Sequence, residues 1–484
     1  MSKANKIGVN RRNFLRLAGM ATIAGAGMLS GCSAKGAASS FPGGEIKFTK
    51  ETDVVIIGAG GAGLWGAYAI GKAGLKSILV EKMPSWGGDT ILACGVLPVH
   101  GTKVQIQQGI KDTSPEETWE AAKARYAKNR VPELSRIVTL YAPRCIDIWS
   151  EEFKVEFTDM DKNGYTKFFH IPKPGMRNDH KLLEPLFEFA KKSGTEFMFE
   201  TRAISFIVND KNETVGVRVQ DEVSKKCLDI KAKKVLIASG DWVSNQEMIS
   251  RYLPVWANTP MTTSTSMGEG IQMALAVGAN LSQMDSVANL MSHFAPSVVF
   301  GIYDPLIHVS PEGKRMCNEN SIFDAPGKAY AAGHTFWWSI FDETLVKGVH
   351  AATYQAREKM GGVVKADTIE ELAAKTFLPL DALKATIERW NTDAKAGKDT
   401  EFGRTIAFAP LKAPFYAFKN TVVRYKTNGG LSINDKAQVV DKNDKPLANL
   451  YAAGACQGET TPNVHDVCAI GLYAGEQIVA SLKK

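Results

Sequence analysis

The sequence predicts an α/β fold, because three features follow one another between residues 53 and 81. The β-branched run Val54–Ile57 is typical of a buried strand. It leads directly into the glycine-rich stretch GAGGAG, residues 58–63, which opens a helix of small residues. A second strand, Lys76–Val80, ends at Glu81. This order of strand, turn, helix and strand is typical of a parallel sheet with a Rossmann-like connection.

The glycine stretch has the spacing of a dinucleotide-binding turn. Gly58, Gly60 and Gly63 occupy the three glycine positions of G-x-G-x-x-G. The first allows the tight turn, the second lets the backbone approach a pyrophosphate, and the third lets the helix pack on the strand. Glu81 closes the second strand, where a carboxylate accepts ribose hydroxyls. We therefore predict a dinucleotide site, the alternative being an ordinary βαβ turn.

The first 32 residues have the composition of an export signal. Arg11 and Arg12 belong to RRNFLRL, a twin-arginine pattern, and a short, moderately apolar stretch follows at residues 17–29. The sequence LSGC, ending at Cys32, resembles a lipobox, although an incidental cysteine is the alternative. We expect export by the twin-arginine translocation (Tat) pathway and lipid anchoring through Cys32 in the cell envelope. Residues 33–50 are small and polar and are predicted to be a linker.

Charge and cysteine spacing exclude several classes of protein. The formal charge is +7, but the signal carries five basic residues and no acids, so no nucleic-acid partner is predicted. The other six cysteines form no C-x-x-C or C-x-x-C-H spacing, so neither an iron–sulfur run nor a covalent haem is predicted. We interpret them as core thiols and predict no metal site. Electrons must therefore come from a separate partner.

Hydrophobic patterns place further elements along the chain. Helices are predicted at residues 115–130, 133–151, 181–192 and 268–280. Strands are predicted at residues 197–199, 203–209, 215–220, 227–231, 234–239 and 306–309. The strand at 234–239 should return to the first sheet, beside the nucleotide.

Several segments, in order, resemble one family. They are EKMPSWGGDT, KKVLIASGDW, GEGIQMALAVGA, GKRMCNE, TNGGLSIN, LYAAGA and GLYAGEQI. The chain is similar over about residues 51–482 to the fumarate reductase flavoprotein family, which includes urocanate and other enoate reductases and 3-ketosteroid dehydrogenases. The resemblance implies FAD in a discontinuous Rossmann-like domain of residues 51–287 and 427–484. It also implies an inserted α+β capping domain, residues 288–426, with substrate between this cap and the flavin.

The turn and the resemblance together give a set of predicted FAD contacts. They are Gly58, Ala59, Gly60, Gly61, Ala62, Gly63, Glu81, Lys82, Gly87, Gly88, Asp89, Thr90, Ala238, Gly240, Gly429, Gly430, Gly454, Ala469 and Ile470.

The predicted catalytic positions depart from the family pattern. Where the resemblance implies a proton-donating arginine this chain has Phe323, and Lys426 replaces the histidine before the T-x-G-G segment. The N-R-L-G-G-N segment with its dicarboxylate-binding arginine is missing, whereas a family substrate-site histidine is matched by His293. Fumarate is therefore not the expected substrate.

Reduction of an activated C=C bond needs a group that stabilises the developing enolate and an acid for the second carbon. The catalytic candidates are Lys426, His293, Tyr303 and Tyr425. Lys426 directly precedes the predicted flavin contacts, where it would hold a substrate carbonyl or carboxylate, contact a flavin phosphate, or face solvent. Further candidates near the cleft are His308, Arg424 and the adjacent pair His465 and Asp466, although adjacent side chains rarely hydrogen-bond to each other.

The sequence therefore predicts an exported, membrane-anchored FAD-dependent oxidoreductase. We expect it to reduce an activated C=C bond in a small organic acid, aromatic or enone acceptor, with electrons from a cytochrome, a quinol-linked protein or a flavin carrier. One alternative is a desaturase resembling ketosteroid dehydrogenases. The other is a flavin electron carrier without a substrate of its own.

Overall fold

The computed structural model describes residues 45–483, except Cys94 and residues 161–166, 176–177, 262–263, 287–289, 293–304, 322–323, 348–354 and 356–357. Cys32, His293, Tyr303 and Phe323 therefore lie outside the described residues. Among the helices of the described part, none combines the length and the apolar character that crossing a membrane requires.

The described part of the chain contains the following strands and helices. The strands are β1 (Phe48–Ile57), β2 (Ser77–Val80), β3 (Leu97–Pro98), β4 (Phe169–His170), β5 (Thr195–Met198), β6 (Thr201–Val208), β7 (Thr214–Asp221), β8 (Cys227–Ile237), β9 (Leu281–Ser282), β10 (Leu290–Ser292), β11 (Leu306–Val309), β12 (Phe336–Asp342), β13 (Val364–Ala366), β14 (Phe415–Arg424), β15 (Gly430–Leu431), β16 (Gln438–Val440) and β17 (Pro446–Ala452). The helices are α1 (Gly61–Lys72), α2 (Lys103–Gln107), α3 (Pro115–Tyr126), α4 (Pro132–Glu151), α5 (His180–Lys192), α6 (Gln246–Tyr252), α7 (Glu269–Ala276), α8 (Asp324–Ala331), α9 (Glu343–Lys347), α10 (Ile369–Thr376), α11 (Leu380–Ala396) and α12 (Val464–Leu482).

The larger sheet contains the predicted glycine-turn strand at its centre. Its main strand order is β16-β17-β8-β1-β2-β5, and the pairs from β17 to β5 are parallel. Strands β6 and β7 extend the sheet as an antiparallel branch from β8. Val54, Val55 and Ile56 are fully buried because helices cover the sheet at this point. The predicted α/β fold is confirmed.

Strand β8 corrects one prediction. The two strands predicted at residues 227–231 and 234–239 are a single strand, Cys227–Ile237. It stays continuous because β1 pairs along one of its edges from Asp229 to Ile237. Its other edge pairs first with β7, antiparallel, and then with β17, parallel. Strand β17 from the C-terminal region thus completes the sheet that β1 begins.

The second sheet is antiparallel and comes from the middle of the chain. Its strand order is β10-β14-β12-β11, and β13 also pairs with β14. Helices α10 and α11 pack on it through a buried apolar cluster that includes Trp338, Ile340, Leu383 and Trp390. The strands of this sheet span residues 290–424, whereas those of the larger sheet span residues 48–237 and 438–452. The domain boundaries predicted near residues 287 and 426 fall between these two sets.

Helices α1 and α12 approach each other closely through small residues. A Cβ atom at Gly475 would lie 2.7 Å from Ala69 Cβ, and one at Gly471 would lie 2.5 Å from Ala62 O. A larger residue at either position would therefore push the helices apart. This packing places the N-terminal ends of α1 and α12 on the same side of the larger sheet, where the predicted site lies.

Candidate active site

The glycine turn has the geometry that its spacing predicts. Gly58 has a φ of +105° and donates its N–H to Val80 O at 2.8 Å, so the turn is joined to β2. A Cβ at Gly63 would overlap Gly58 O, which explains the third glycine by packing within the protein. Gly60 is different, because a Cβ there would meet no protein atom closer than 3.9 Å. The space above Gly60 is open at the N-terminus of α1, where a pyrophosphate would approach the backbone.

A second turn, residues 87–90, lies against the first. Gly87 donates its N–H to Ala59 O at 2.9 Å, and Thr90 Oγ1 accepts the N–H of Gly61 at 3.1 Å. Gly87 and Gly88 both have positive φ angles, which glycine adopts without strain. The two predicted groups of cofactor contacts therefore lie against each other and form one glycine-rich cradle at the N-terminus of α1.

The carboxylate of Glu81 is buried and fixed in position. Its two oxygens accept N–H groups of Ala59, at 2.8 Å, and Met83, at 2.9 Å. A carboxylate has about four lone-pair sites, so lone pairs remain for ribose hydroxyls. Lys82 Nζ, next to it, is held at 2.5 Å by both Glu269 Oε1 and Thr265 O. Lys82 therefore lies beside the predicted adenosine end with its charge balanced by Glu269.

The end of β8 carries the third group of predicted contacts. Gly240 has a φ of +78°, and a Cβ there would overlap Ser266 Oγ. Asp89 Oδ2 accepts the hydroxyls of Ser264 and Ser266, each at 2.7 Å. The turn that contains Asp89 is thereby tied to the segment beyond Gly240.

Asp241 follows and connects this strand end with the C-terminal region. Its carboxylate is buried and accepts the N–H groups of Thr427, at 2.7 Å, and Val243, at 3.1 Å. Burial raises the pKa of Asp241 to about 7; the two N–H groups and Lys426 act in the opposite direction. Trp242 Nε1 donates to Gly429 O at 2.8 Å, so the predicted contact Gly429 lies beside the end of β8.

The remaining predicted FAD contacts lie where the C-terminal segments meet α1. A Cβ at Gly454 would lie 2.7 Å from Ala62 Cβ, and one at Gly430 would overlap Cys456 O. Ala469 and Ile470 are fully buried in the second turn of α12. The structure thus brings residues from four distant stretches of sequence to one side of the sheet.

Unsatisfied polar atoms indicate that a polar molecule belongs at this junction. Asp89 Oδ1, Ser239 Oγ and Asn428 Oδ1 are buried, and none has a hydrogen-bond partner in the described structure. Buried polar atoms in native proteins almost always have partners. A flavin ring offers both N–H donors and carbonyl acceptors, so these residues fit an FAD with its pyrophosphate over Gly60.

The catalytic candidates separate into two groups. Lys426 Nζ donates to Pro462 O at 2.9 Å and to Asn463 Oδ1 at 2.8 Å, directly before the flavin-side segment. Tyr425, half-buried, precedes it. His308 lies instead inside the second sheet, where burial lowers its pKa to about 4 and Ser339 Oγ is 2.9 Å from its Nδ1. His308 therefore has a structural role within the second sheet.

Arg315, in the GKRMCNE segment, has a structural role. It is buried and forms ion pairs with Glu319 and Asp399, with its guanidinium 4.6 Å from the ring centre of Trp390. Arg404 adds a contact to the same Glu319 at 3.3 Å. This network orders the loop after β11.

The side chains of His465 and Asp466 lie close together at the start of α12. His465 Nε2 lies 3.2 Å from Asp466 Oδ1, because both residues begin α12 and turn towards each other. Asp466 Oδ2 accepts from Asn463 Nδ2 at 3.0 Å, and Asn463 in turn accepts from Lys426. His465 Nδ1 is buried and has no partner among the described residues. Asn463 was missed from the sequence, where only its position before an apolar helix marks it as a capping residue.

A parallel sheet with this glycine cradle, a buried ribose-side carboxylate and unpaired polar atoms beside it defines an FAD-dependent oxidoreductase. The chain belongs to the FAD binding domain family, which matches residues 53–472. The predictions of FAD and of a fumarate-reductase-like flavoprotein are therefore confirmed.

Several relatives resemble most of the chain. A probable fumarate reductase of Shewanella frigidimarina is 30% identical in an alignment of 445 positions that covers 87% of this chain and 72% of the relative. Urocanate reductase of Eggerthella lenta is 26% identical in an alignment of 458 positions that covers 89% of this chain and 75% of the relative. The open conformation of a flavocytochrome c3 fumarate reductase superposes with a TM-score of 0.72 at 28% identity, covering 90% of this chain and 79% of that one.

Proposed function

We propose that this flavoenzyme reduces the activated C=C bond of a small organic molecule and receives its electrons from a separate redox protein. The observation that carries this proposal is a series of contacts: hydrogen bonds link Lys426 to Asn463 and Asn463 to Asp466, and Asp466 Oδ1 lies 3.2 Å from His465 Nε2. It lies beside the predicted flavin contacts, and it offers both a cation and a titratable ring. The similar proteins that act on fumarate and urocanate support the same reaction class.

FAD, when bound, supplies a hydride to one carbon of the acceptor. The protein must then polarise the activating carbonyl and give a proton to the other carbon. Lys426 Nζ donates to Pro462 O and Asn463 Oδ1, and these contacts position its ammonium to stabilise a developing enolate. Tyr425, His293 and Tyr303 remain proposed participants, the last two from a stretch outside the described residues.

His465 has the arrangement of an oriented acid. A carboxylate close to Nε2 orients an imidazole ring and leaves Nδ1 as the second site for a proton. Asp466 lies in that position, and Nδ1 is buried and unpaired within the described structure. We propose that protonated His465 supplies the proton that the family arginine gives elsewhere, in place of Phe323.

The source of electrons and the location of the enzyme are also proposals. The sequence has no C-x-x-C-H haem motif, so a separate cytochrome, quinol-linked protein or flavin carrier would reduce the FAD. We propose export through the Tat pathway and anchoring at Cys32, which would place the enzyme in the cell envelope as a folded protein.

Substitution of His465 and Lys426 tests this mechanism. We expect His465→Gln and Lys426→Met to slow reoxidation of the reduced flavin by an unsaturated acceptor about 10²–10⁴-fold, the usual contribution of an acid. FAD content and electron exchange with a soluble dye should not change. Lys436→Met, at an exposed position, is the matched control. Wild-type rates with acceptor in both variants would refute these roles.

A further inference from the structure

Four arginines are buried in the described part of the chain, and one of them differs from the rest. They are Arg218, Arg315, Arg404 and Arg424. The first three each form an ion pair with a buried carboxylate. Arg424 is only 7% exposed, and no carboxylate of the described residues lies within ion-pair distance of it. Its charge is therefore buried without a counterion in the described protein.

The hydrogen bonds of Arg424 are made with neutral groups only. Its Nε donates to Thr259 O at 2.9 Å, and its Nη2 donates to Gln246 Oε1 at 3.1 Å. Its Nη1 is buried and has no partner among the described residues. Burial lowers the pKa of Arg424, as expected for a cation whose surroundings do not balance it. A buried guanidinium with an unused N–H is costly unless an anion completes it.

Arg424 lies at the end of the second sheet, a few residues before the flavin-side segment. It is the last residue of β14, and its own N–H donates to Pro260 O at 2.7 Å. Lys426 follows two residues later, and Thr427 then binds Asp241 at the end of β8. The residue with the unpaired N–H is therefore part of the short segment that connects the second sheet to the predicted flavin contacts. The FAD pyrophosphate would be held at the N-terminus of α1, so it is not the counterion of Arg424.

We propose that Arg424 binds the carboxylate of the substrate, and that the natural acceptor is an unsaturated monocarboxylate. This inference rests on the proposed reductase function. One guanidinium without a counterion neutralises one carboxylate. A substrate with a single carboxylate also agrees with the absence of the family's dicarboxylate-binding arginine. Arginine is well suited to this contact because its planar fork matches carboxylate oxygens.

Binding of unreactive carboxylates to the oxidised holoenzyme gives a direct test. The probes are propionate and 3-phenylpropanoate, with 3-phenylpropanamide as the neutral analogue, and Kd is measured by calorimetry. We expect Arg424→Gln to raise the Kd of both carboxylates at least tenfold and to leave the Kd of the amide unchanged. Arg251→Gln, an exposed arginine of α6, is the matched control and should bind like wild type.

Thermal unfolding separates a binding role from a structural one. Without ligand, Arg424→Met should have a Tm equal to or above that of wild type, because it removes an unbalanced buried charge. The rise in Tm that carboxylates cause in wild type should disappear in this variant. A lower Tm together with an undiminished ligand-induced rise would show that Arg424 is merely structural.

Other results would also overturn the inference. They are an unchanged carboxylate Kd in Arg424→Gln, a loss of FAD from that variant, or wild-type enzyme that binds the amide but neither carboxylate. None of these results would contradict the proposed reductase function. That function fails only if the reduced wild-type enzyme transfers electrons to no unsaturated acceptor.

Discussion

The N–H of Thr427 donates to Oδ2 of the buried Asp241 at 2.7 Å. Asp241 follows the end of β8, whereas Thr427 begins the segment that follows β14 of the second sheet. One carboxylate thus joins the two parts of the chain that contain the predicted flavin contacts. The hydrogen bond from Trp242 Nε1 to Gly429 O reinforces the same junction.

Replacing Asp241 by Asn should remove a pH dependence of stability. Burial raises the pKa of Asp241 from 3.8 to about 7, so the folded protein holds a proton that the unfolded chain releases. The stabilisation by this proton is complete below pH 4 and is lost as the pH rises to about 7, with an upper limit of roughly 4 kcal/mol. The Tm of wild type should therefore fall relative to Asp241→Asn across this range.

The Tm of the holoenzyme at several pH values from 4 to 8 checks this prediction. Asp210→Asn, at an exposed position, is the control, and its Tm should change with pH in the same way as that of wild type. Parallel curves for Asp241→Asn and wild type would contradict a raised pKa.

Alanine substitutions at two glycines of the turn should have different effects, one on folding and the other on FAD binding. Gly63→Ala places a Cβ on Gly58 O and should prevent stable folding, whereas Gly60→Ala meets no protein atom closer than 3.9 Å. Gly60→Ala should therefore fold but bind FAD at least tenfold more weakly, because its methyl group occupies the space of the pyrophosphate. The fluorescence of released FAD measures this affinity. Gly327→Ala, which meets no atom within 4 Å, is the control; tight FAD binding by Gly60→Ala would refute the cradle.

The proposed anchor is tested in cells. Cys32→Ser should move the protein from the membrane fraction to the soluble part of the envelope, because lipidation needs the thiol. Changing both Arg11 and Arg12 to Lys should instead retain the protein in the cytoplasm. Wild-type fractionation of Cys32→Ser would show that Cys32 is not an anchor.

Local features of the site could be predicted from the sequence. The glycine turn and Glu81 depend on spacing within one strand–turn–helix–strand unit, so their pattern is visible without the fold. Strand β11 has the predicted ends, Leu306 and Val309, because the pattern of a single strand is also local in the sequence.

Features that depend on distant partners could not be predicted. The continuity of β8 depends on its pairing with β1, and the end of β8 also pairs with β17, from more than two hundred residues away in the sequence. The link between Lys426 and Asn463 and the unbalanced charge of Arg424 likewise appear only once the cap strand returns to the flavin side. The contact between His465 and Asp466 depends on how α12 begins.

The central claim, reduction of an activated C=C bond, is tested most directly under anaerobic conditions. The purified holoenzyme is reduced, and reoxidation of its flavin absorbance is followed with acrylate, cinnamate, urocanate, fumarate and an enone steroid. We predict rapid reoxidation by an unsaturated monocarboxylate, with formation of the saturated acid. Reoxidation by none of these acceptors, together with fast electron exchange with a cytochrome or quinone analogue, would contradict the claim and indicate an electron carrier.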